Sequence, residues 1–457
     1  MPVTIVEGPS SVSRPIHVVA RGGLSAAGLD PMAIFWAEAN GFDGEPGRVL
    51  VLPGNGGVVA GALFGAPRDD DGFGALAFGA LSRALPEGDW HVASHLADPT
   101  NALVGVLLGS YVFSRYGKKS SRTLQLDLPQ GADGARARRI ADGVILARDL
   151  INTPANDMGP EALERSVREL ADGYGAAVTT IAGDELLSSN LPMIHAVGRA
   201  SIQAPRLVDM RWGRADAPKV TLVGKGVCFD TGGLDIKPAS NMLLMKKDMG
   251  GAASVLGLAS MLMAAKLDIH LRVLVPAVEN SIGGSAFRPG DVLPSRKGMT
   301  VEIGNTDAEG RLILADALAL ADEEAPRILI DIATLTGAAR VALGPDLPPY
   351  FTPDDALAAE LDASAAAACD PLWRLPLWKP YDTKLSSKVA DVNNVTTDGF
   401  AGAVTAALFL KRFVEKTSAW VHFDIFGWSP GDRPHCLAGG EAQAIRALEH
   451  LFHRRFA

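Results

Sequence analysis

From residue 219 onward the chain repeats one pattern: a near-continuous apolar run, a stretch with helical spacing, then another apolar run. The runs are VTLVGKGVCF, HLRVLVPAV, RILIDIATL and, later, AWVHFDIFG; Met249–Ala265 and the segment after Arg311 carry the helical spacing between them. A strand apolar on both faces has to be covered on both faces, and helices lying between successive strands supply that cover. The pattern therefore predicts an α/β fold with a mostly parallel central sheet covered by helices. In such sheets functional groups gather at the carboxyl ends of the strands.

Residues 1–128 read as a smaller N-terminal α/β domain and 129–457 as the larger C-terminal one. In the first, RVLVLP, GNGG and VVAGALFGA predict strand, turn and strand, because Asn-Gly suits a tight hairpin. Gly54, Gly56 and Val59 form only a partial dinucleotide fingerprint, with the third glycine missing, so the hairpin is preferred. Asn101–Tyr116 has helical spacing, and the polar segment from Lys118 to Gly134 reads as a linker. Ala135–Leu150 is helical until INTPAND breaks it at Pro154, and the Ala-rich 363–368 stretch reads as plain helix.

Composition removes several classes. Net charge is −9, which speaks against broad binding to nucleic acid or an acidic membrane surface. Three scattered cysteines and no CxxC exclude a disulfide framework and a thiolate zinc site. Met249–Ala265 is too short and too rich in small residues for a membrane span, and the N-terminus lacks the pattern of a secretory leader. A cytoplasmic protein is expected.

Three groups carry chemistry. In VGKGVCFDTGGLDIKP, Lys225 interrupts an apolar strand, Asp230 stands where the strand ends, and Lys237 follows a glycine turn. A lysine so placed needs a partner or must lose its proton; a buried Lys225–Asp230 pair is the plain alternative. In MKKDMGGAA, Asp248 precedes a helix, where an N-cap is the plain alternative. In NTDAEGRL, Asp307, Glu309 and Arg311 are two apart, so they share one side if the segment is extended. Four carboxylates at strand ends and helix starts of one domain repel unless cations neutralise them, and two divalent ions about 3.5–4 Å apart would do so. Lys225 could then be a neutral amine ligand, its proton displaced by the metal. None of the nine histidines lies in these motifs; His422 and His435 are expected to be structural or on the surface.

These three motifs, in this order, resemble the leucyl aminopeptidases of the M17 class, the cytosol aminopeptidases. Counting from Lys225, Asp230 is five residues on, Lys237 twelve, Asp248 twenty-three, Asp307 eighty-two, Glu309 eighty-four and Arg311 eighty-six. ARDLINTPAND, DIATLTGA and FAGAVTAALFLKRFV are similar to family segments too. The resemblance implies a metallo-exopeptidase that releases N-terminal residues from peptides with a free N-terminus. It implies that Lys225, Asp230, Asp248 and Glu309 hold one metal, and Asp230, Asp307 and Glu309 the other. Zinc and manganese are the candidates, with magnesium a third. It further implies that a water bridging the metals attacks the carbonyl, that Lys237 stabilises the gem-diolate, and that Arg311 holds a bicarbonate acting as general base. Met245, Thr334 and Gly337 match specificity-pocket positions and Asn305 a residue near the site. A homohexamer is implied as well.

Other classes fare worse. Phosphoryl transfer would want a GxxxxGK[ST] loop, which is missing. A nucleic-acid-binding role, additional or replacement, as in some bacterial relatives, would use Lys118, Lys119, Arg136, Arg138 and Arg139.

Overall fold

The computed structural model describes residues 3–8, 12–68, 72–117 and 123–457. The chain packs as two units: Met1–Ile145 with Pro430–Gly439, and Leu146–Ser429 with Gly440–Ala457. The division falls inside the helix Gly134–Asn152, whereas the sequence suggested a change of domain at 128/129.

In the first unit a six-stranded sheet runs in the order Val3–Val6, Leu124–Asp127, Gly88–Val92, Arg14–Val19, Val59–Gly65, Val49–Pro53. The pair Val49–Pro53 and Val59–Gly65 is the antiparallel hairpin expected around GNGG. The expected linker is corrected: Leu124–Asp127 is a strand paired on both sides. Leu124 and Leu126 point inward two residues apart, and a period-2 pattern that short is masked by polar neighbours. Pro31–Ala39 and Pro99–Gly109 both start with proline in the first turn behind a capping aspartate, Asp30 or Asp98.

The second unit holds a nine-stranded mixed sheet. Its centre is parallel: Trp420–Asp424, Ile328–Ala333, Lys219–Gly224 and His270–Asn280 lie side by side in that order. Arg206–Trp212 and Ala177–Ala182 extend it antiparallel on one side. Gly250–Ala264, apolar all round, is buried along nearly its whole length against the sheet. The helix Gly310–Asp322 packs its Leu312, Ile313 and Leu314 into the same core as Val223, Leu274 and Leu329. The carboxyl ends of the parallel strands deliver Asp230, Asn280, Thr334 and Asp424 to one end of the sheet.

VTLVGKGVCF is two strands, not one. Lys219–Gly224 lies between two parallel neighbours, while Gly226–Asp230 pairs with His270–Asn280, its register shifting between Val227 and Phe229. Lys225 is the break. Its N–H donates to Ile332 O (3.0 Å) and its carbonyl accepts from Ala252 N–H (2.9 Å). The helix can come that close because residue 251 is glycine; a Cβ there would stand 2.0 Å from Ile332 O. Among the described residues, no helix is long and apolar enough to cross a membrane.

Candidate active site

Lys225 is 2% exposed. Its ammonium lies 2.8 Å from Asp248 Oδ2 and 2.9 Å from Glu309 Oε1, and donates to Thr334 O at 3.0 Å. Its partners are thus Asp248 and Glu309; the Lys225–Asp230 pair that the strand suggested does not form. Burial works against the charge, but Asp248, Glu309 and Asp230 together hold Lys225 well above its ordinary value. Gly310 makes room for this ammonium, since a Cβ there would sit 2.7 Å from it.

Asp230 pairs instead with Lys237, at 2.9 Å, and Lys237 also contacts Asp307. Gly232 N–H and Asn280 Nδ2 each donate to Asp230 Oδ1 at 2.9 Å. Asn280 Nδ2 reaches Thr306 O as well, at 3.1 Å, and so ties the turn after Asp230 to the loop before Asp307. Asp248 sits on the tight helical turn Met245–Met249 and does not cap the following helix, whose start has no side-chain cap. Its carboxylate turns to Lys225 instead and accepts from Thr334 Oγ1 at 2.8 Å.

The extended reading of Asp307 to Arg311 is also corrected. The segment turns, and the helix begins at Gly310. Ligand oxygens of Asp230, Asp307 and Glu309 nevertheless lie within 4.8 Å of one another. Arg311 points elsewhere: its Nη1 donates to Asn394 O at 2.7 Å, and its buried Nε has no partner among the described residues. Burial brings Arg311 down to about 10, with Asp424 and Glu309 opposing. Arg311 and Asn305 border a cavity of about 550 Å³ together with Gly304, Val395 and Phe400.

Electrostatically the cluster is short of positive charge. Burial, then the neighbouring Asp248, lifts Asp230 to about 6. Burial and Asp230 lift Glu309 to about 7. Asp307 is raised by burial and Glu309; Asp248 alone of the four is lowered, Lys225 overcoming its burial. Asp248 Oδ2, Asp307 Oδ1 and Glu309 Oε1 are buried and, although ion-paired, lack an aligned hydrogen bond among the described residues. Uncompensated oxygen donors converging within one ion's reach fit divalent cations.

Met245 is on the turn of Asp248, Thr334 donates its hydroxyl to Asp248 Oδ1, and Gly337, three residues after Thr334, opens the helix Gly337–Leu343. Sequence reasoning passed over Asn280, Asn394 and Asp424. Asn280 ends an otherwise apolar strand, a usable signal. Asn394 receives Gly304 N–H and donates to Asn305 O, both at 2.8 Å, which nothing local suggests. Asp424 accepts from Leu335 N–H, Thr336 N–H and Thr336 Oγ1. His422 is fully buried against Asp331 and Phe351, and His435 is buried, as expected of structural residues.

Residues 145–448 match the cytosol aminopeptidase family, catalytic domain, and 15–129 the M17 aminopeptidase, N-terminal domain. The chain belongs to the cytosol aminopeptidase family. It is 45% identical over 338 residues to a probable cytosol aminopeptidase of Roseiflexus castenholzii, covering 71% of this chain and 69% of that one. To that of Methylorubrum extorquens it is 38% identical, covering 92% and 90%. A crystal structure of cytosol aminopeptidase from Coxiella burnetii superposes with a TM-score of 0.93 at 45% identity, over 99% of both chains. The bottromycin maturation enzyme BotP in complex with Mn superposes at 0.87 with 32% identity, over 97% of this chain and 100% of that one. The chain is therefore a hydrolase, an aminopeptidase of a metal-dependent exopeptidase family acting on peptides, with the two-domain α/β fold of that family.

Proposed function

We propose that the chain removes N-terminal residues from peptides through two divalent ions held by five side chains. Asp230, Asp248, Glu309 and Lys225, the last only once the ion has displaced its proton, would hold one, and Asp230, Asp307 and Glu309 the other. The observation that carries this is the convergence of Asp230, Asp307 and Glu309 oxygens within 4.8 Å, with two of them titrating far above ordinary carboxylates. When bound, the ions supply Lewis-acid activation of water and of the peptide carbonyl. Manganese, with which BotP forms its complex, and zinc are the proposed ions, with magnesium third.

Lys237 bears a partly accessible ammonium at the edge of the carboxylates, placed to donate to the oxygen that gains charge on the carbonyl. Arg311 is anchored through Nη1 to Asn394 O, has an unsatisfied Nε and borders the cavity, so it can present its planar fork to a bicarbonate, which would supply the general base. The carboxylates of the cluster are committed to the ions and so are not free to act as that base. Met245, Thr334 and Gly337 would face the substrate's first side chain, and Asn305 the cavity beside it. The chemistry is assigned to residues 129–457. A homohexamer is part of the proposal; exposed Ile202, Leu243 and Val341 offer apolar surface for assembly. The enzyme is placed in the cytoplasm.

The nucleic-acid-binding alternative has no support in the family match. Lys118 and Lys119 lie outside the described residues, and Arg138 is engaged with Ile5 O at 2.8 Å.

The test is a panel of aminoacyl-p-nitroanilides and N-acetylated peptides, assayed on metal-stripped protein reloaded with manganese, zinc or magnesium. Hydrolysis should return with metal and only for free N-termini. Cleavage of an acetylated or internal bond, or full activity without metal, would overturn the reading.

A further inference from the structure

Beside the cluster stand two cations without a counter-charge of their own among the described residues. Lys247 is 2% exposed, and its ammonium forms no hydrogen bond or ion pair with them. That ammonium lies 5.3 Å from the centre of the Phe426 ring. Arg340, half-buried, has its guanidinium carbon 4.6 Å from the same ring centre, and its guanidinium likewise forms no hydrogen bond or ion pair with a described residue. The carboxylate acting most strongly on Lys247 is Asp248, which is already engaged by Lys225 and Thr334; Arg340, Lys225 and Lys237 all repel it. Burying an ammonium in this setting is costly, and an aromatic face compensates only in part.

These groups surround the residues assigned to the first side chain of the substrate. Met245 is on the same turn as Lys247. A methyl on Gly337 would sit 3.6 Å from Arg340 Nη2. Gly427, next to Phe426, lies against Thr334 and the Lys247 carbonyl. The Phe426 and Gly427 amides are both held by Gln443 Oε1, at 2.9 and 3.2 Å, so the ring is not free to swing away with its backbone.

We propose that the side-chain pocket takes an acidic N-terminal residue, its carboxylate received by the Lys247 ammonium and the Arg340 guanidinium beside Phe426. The proposal rests on the aminopeptidase reading of this pocket and names its substrate class. A carboxylate supplies the negative charge that both cations lack and hydrogen-bonds to each. A leucine-like side chain would leave both unpaired in a drier pocket, and a lysine or arginine would be repelled.

The test is kcat/KM of the manganese-loaded full chain for p-nitroanilides of Glu, its neutral isostere Gln, Leu and Lys. Glu should exceed Gln by about tenfold or more, the worth of a charge-assisted hydrogen bond, with Lys slowest. Lys247→Met should cut the Glu-to-Gln ratio by about tenfold, towards one, and Arg340→Gln, at a half-buried helix position where misfolding is a smaller risk, should move it the same way. Each ratio is taken within one protein, so lost stability or metal cancels. Leu or Gln cleaved as well as Glu by the wild type, or a ratio unmoved in both variants, overturns the acidic pocket and leaves the aminopeptidase reading standing. No hydrolysis of any of the four overturns both.

Discussion

Replacing Asn280 with alanine tests whether the site is held together by the bridge between its two carboxylate-bearing segments. Asn280 is 1% exposed and donates to Asp230 Oδ1 at 2.9 Å and to Thr306 O at 3.1 Å. The first bond goes to a carboxylate and is worth about 1.5–3 kcal/mol; the second, to a neutral carbonyl, about 1 kcal/mol. Removal should therefore destabilise the metal-free chain by about 2.5–4 kcal/mol, part of it from Asp230 left with one fewer donor. Divalent-ion affinity should fall as well, by about 10–100-fold, because Asn280 orients a ligand without being one. Urea unfolding of the metal-free protein reads the first quantity, and calorimetric titration with manganese the second. A stability change below about 1 kcal/mol with unchanged manganese affinity would show that the Asn280 bridge does not organise the site.

Asp307→Ala and Glu309→Ala should each abolish hydrolysis and lower metal content while circular dichroism stays native; full occupancy by elemental analysis in both variants would remove them from the ligand set. Arg311→Ala should lower kcat by about 10²–10⁴-fold, the usual worth of a general base, with both metals retained and the bicarbonate stimulation of the wild type lost. Loss of metal together with activity, and no bicarbonate response in carbonate-depleted buffer, would make Arg311 a brace. Asp322 accepts the amides of Glu415, Lys416 and Thr417 at 2.7–2.8 Å. Burial opposes its charge, but those donors outweigh burial and hold its carboxyl below the usual range. Its folded pKa is depressed, so its contribution is present above the unfolded value, near pH 4, and is lost as pH falls through the folded one. Asp322→Asn should lower stability at pH 7 by about 1–3 kcal/mol and by less at pH 3, read by urea denaturation; an equal loss at both would refute the linkage.

What the sequence determined by itself is local. Apolar runs and helical spacing are properties of neighbouring residues, so the strands ending at Asp230, Ala333 and Asp424 and the helices at 250–264 and 310–322 were legible from period alone. The spacing of Lys225, Asp230, Lys237, Asp248, Asp307, Glu309 and Arg311 was legible as a family resemblance. The strand at 124–127 was not, because its stability comes from two partners far along the chain and not from its own pattern. Which lysine pairs with which carboxylate was decided only in three dimensions. Lys225 takes Asp248 and Glu309, and Asp230 takes Lys237, because the parallel strands and Gly310 bring those groups within ion-pair distance. The same holds for Asn280 bridging to Thr306, 26 positions away, and for Lys247 and Arg340, 93 positions apart, meeting at Phe426. Local propensity does not reach that far; packing of the sheet against its helices does.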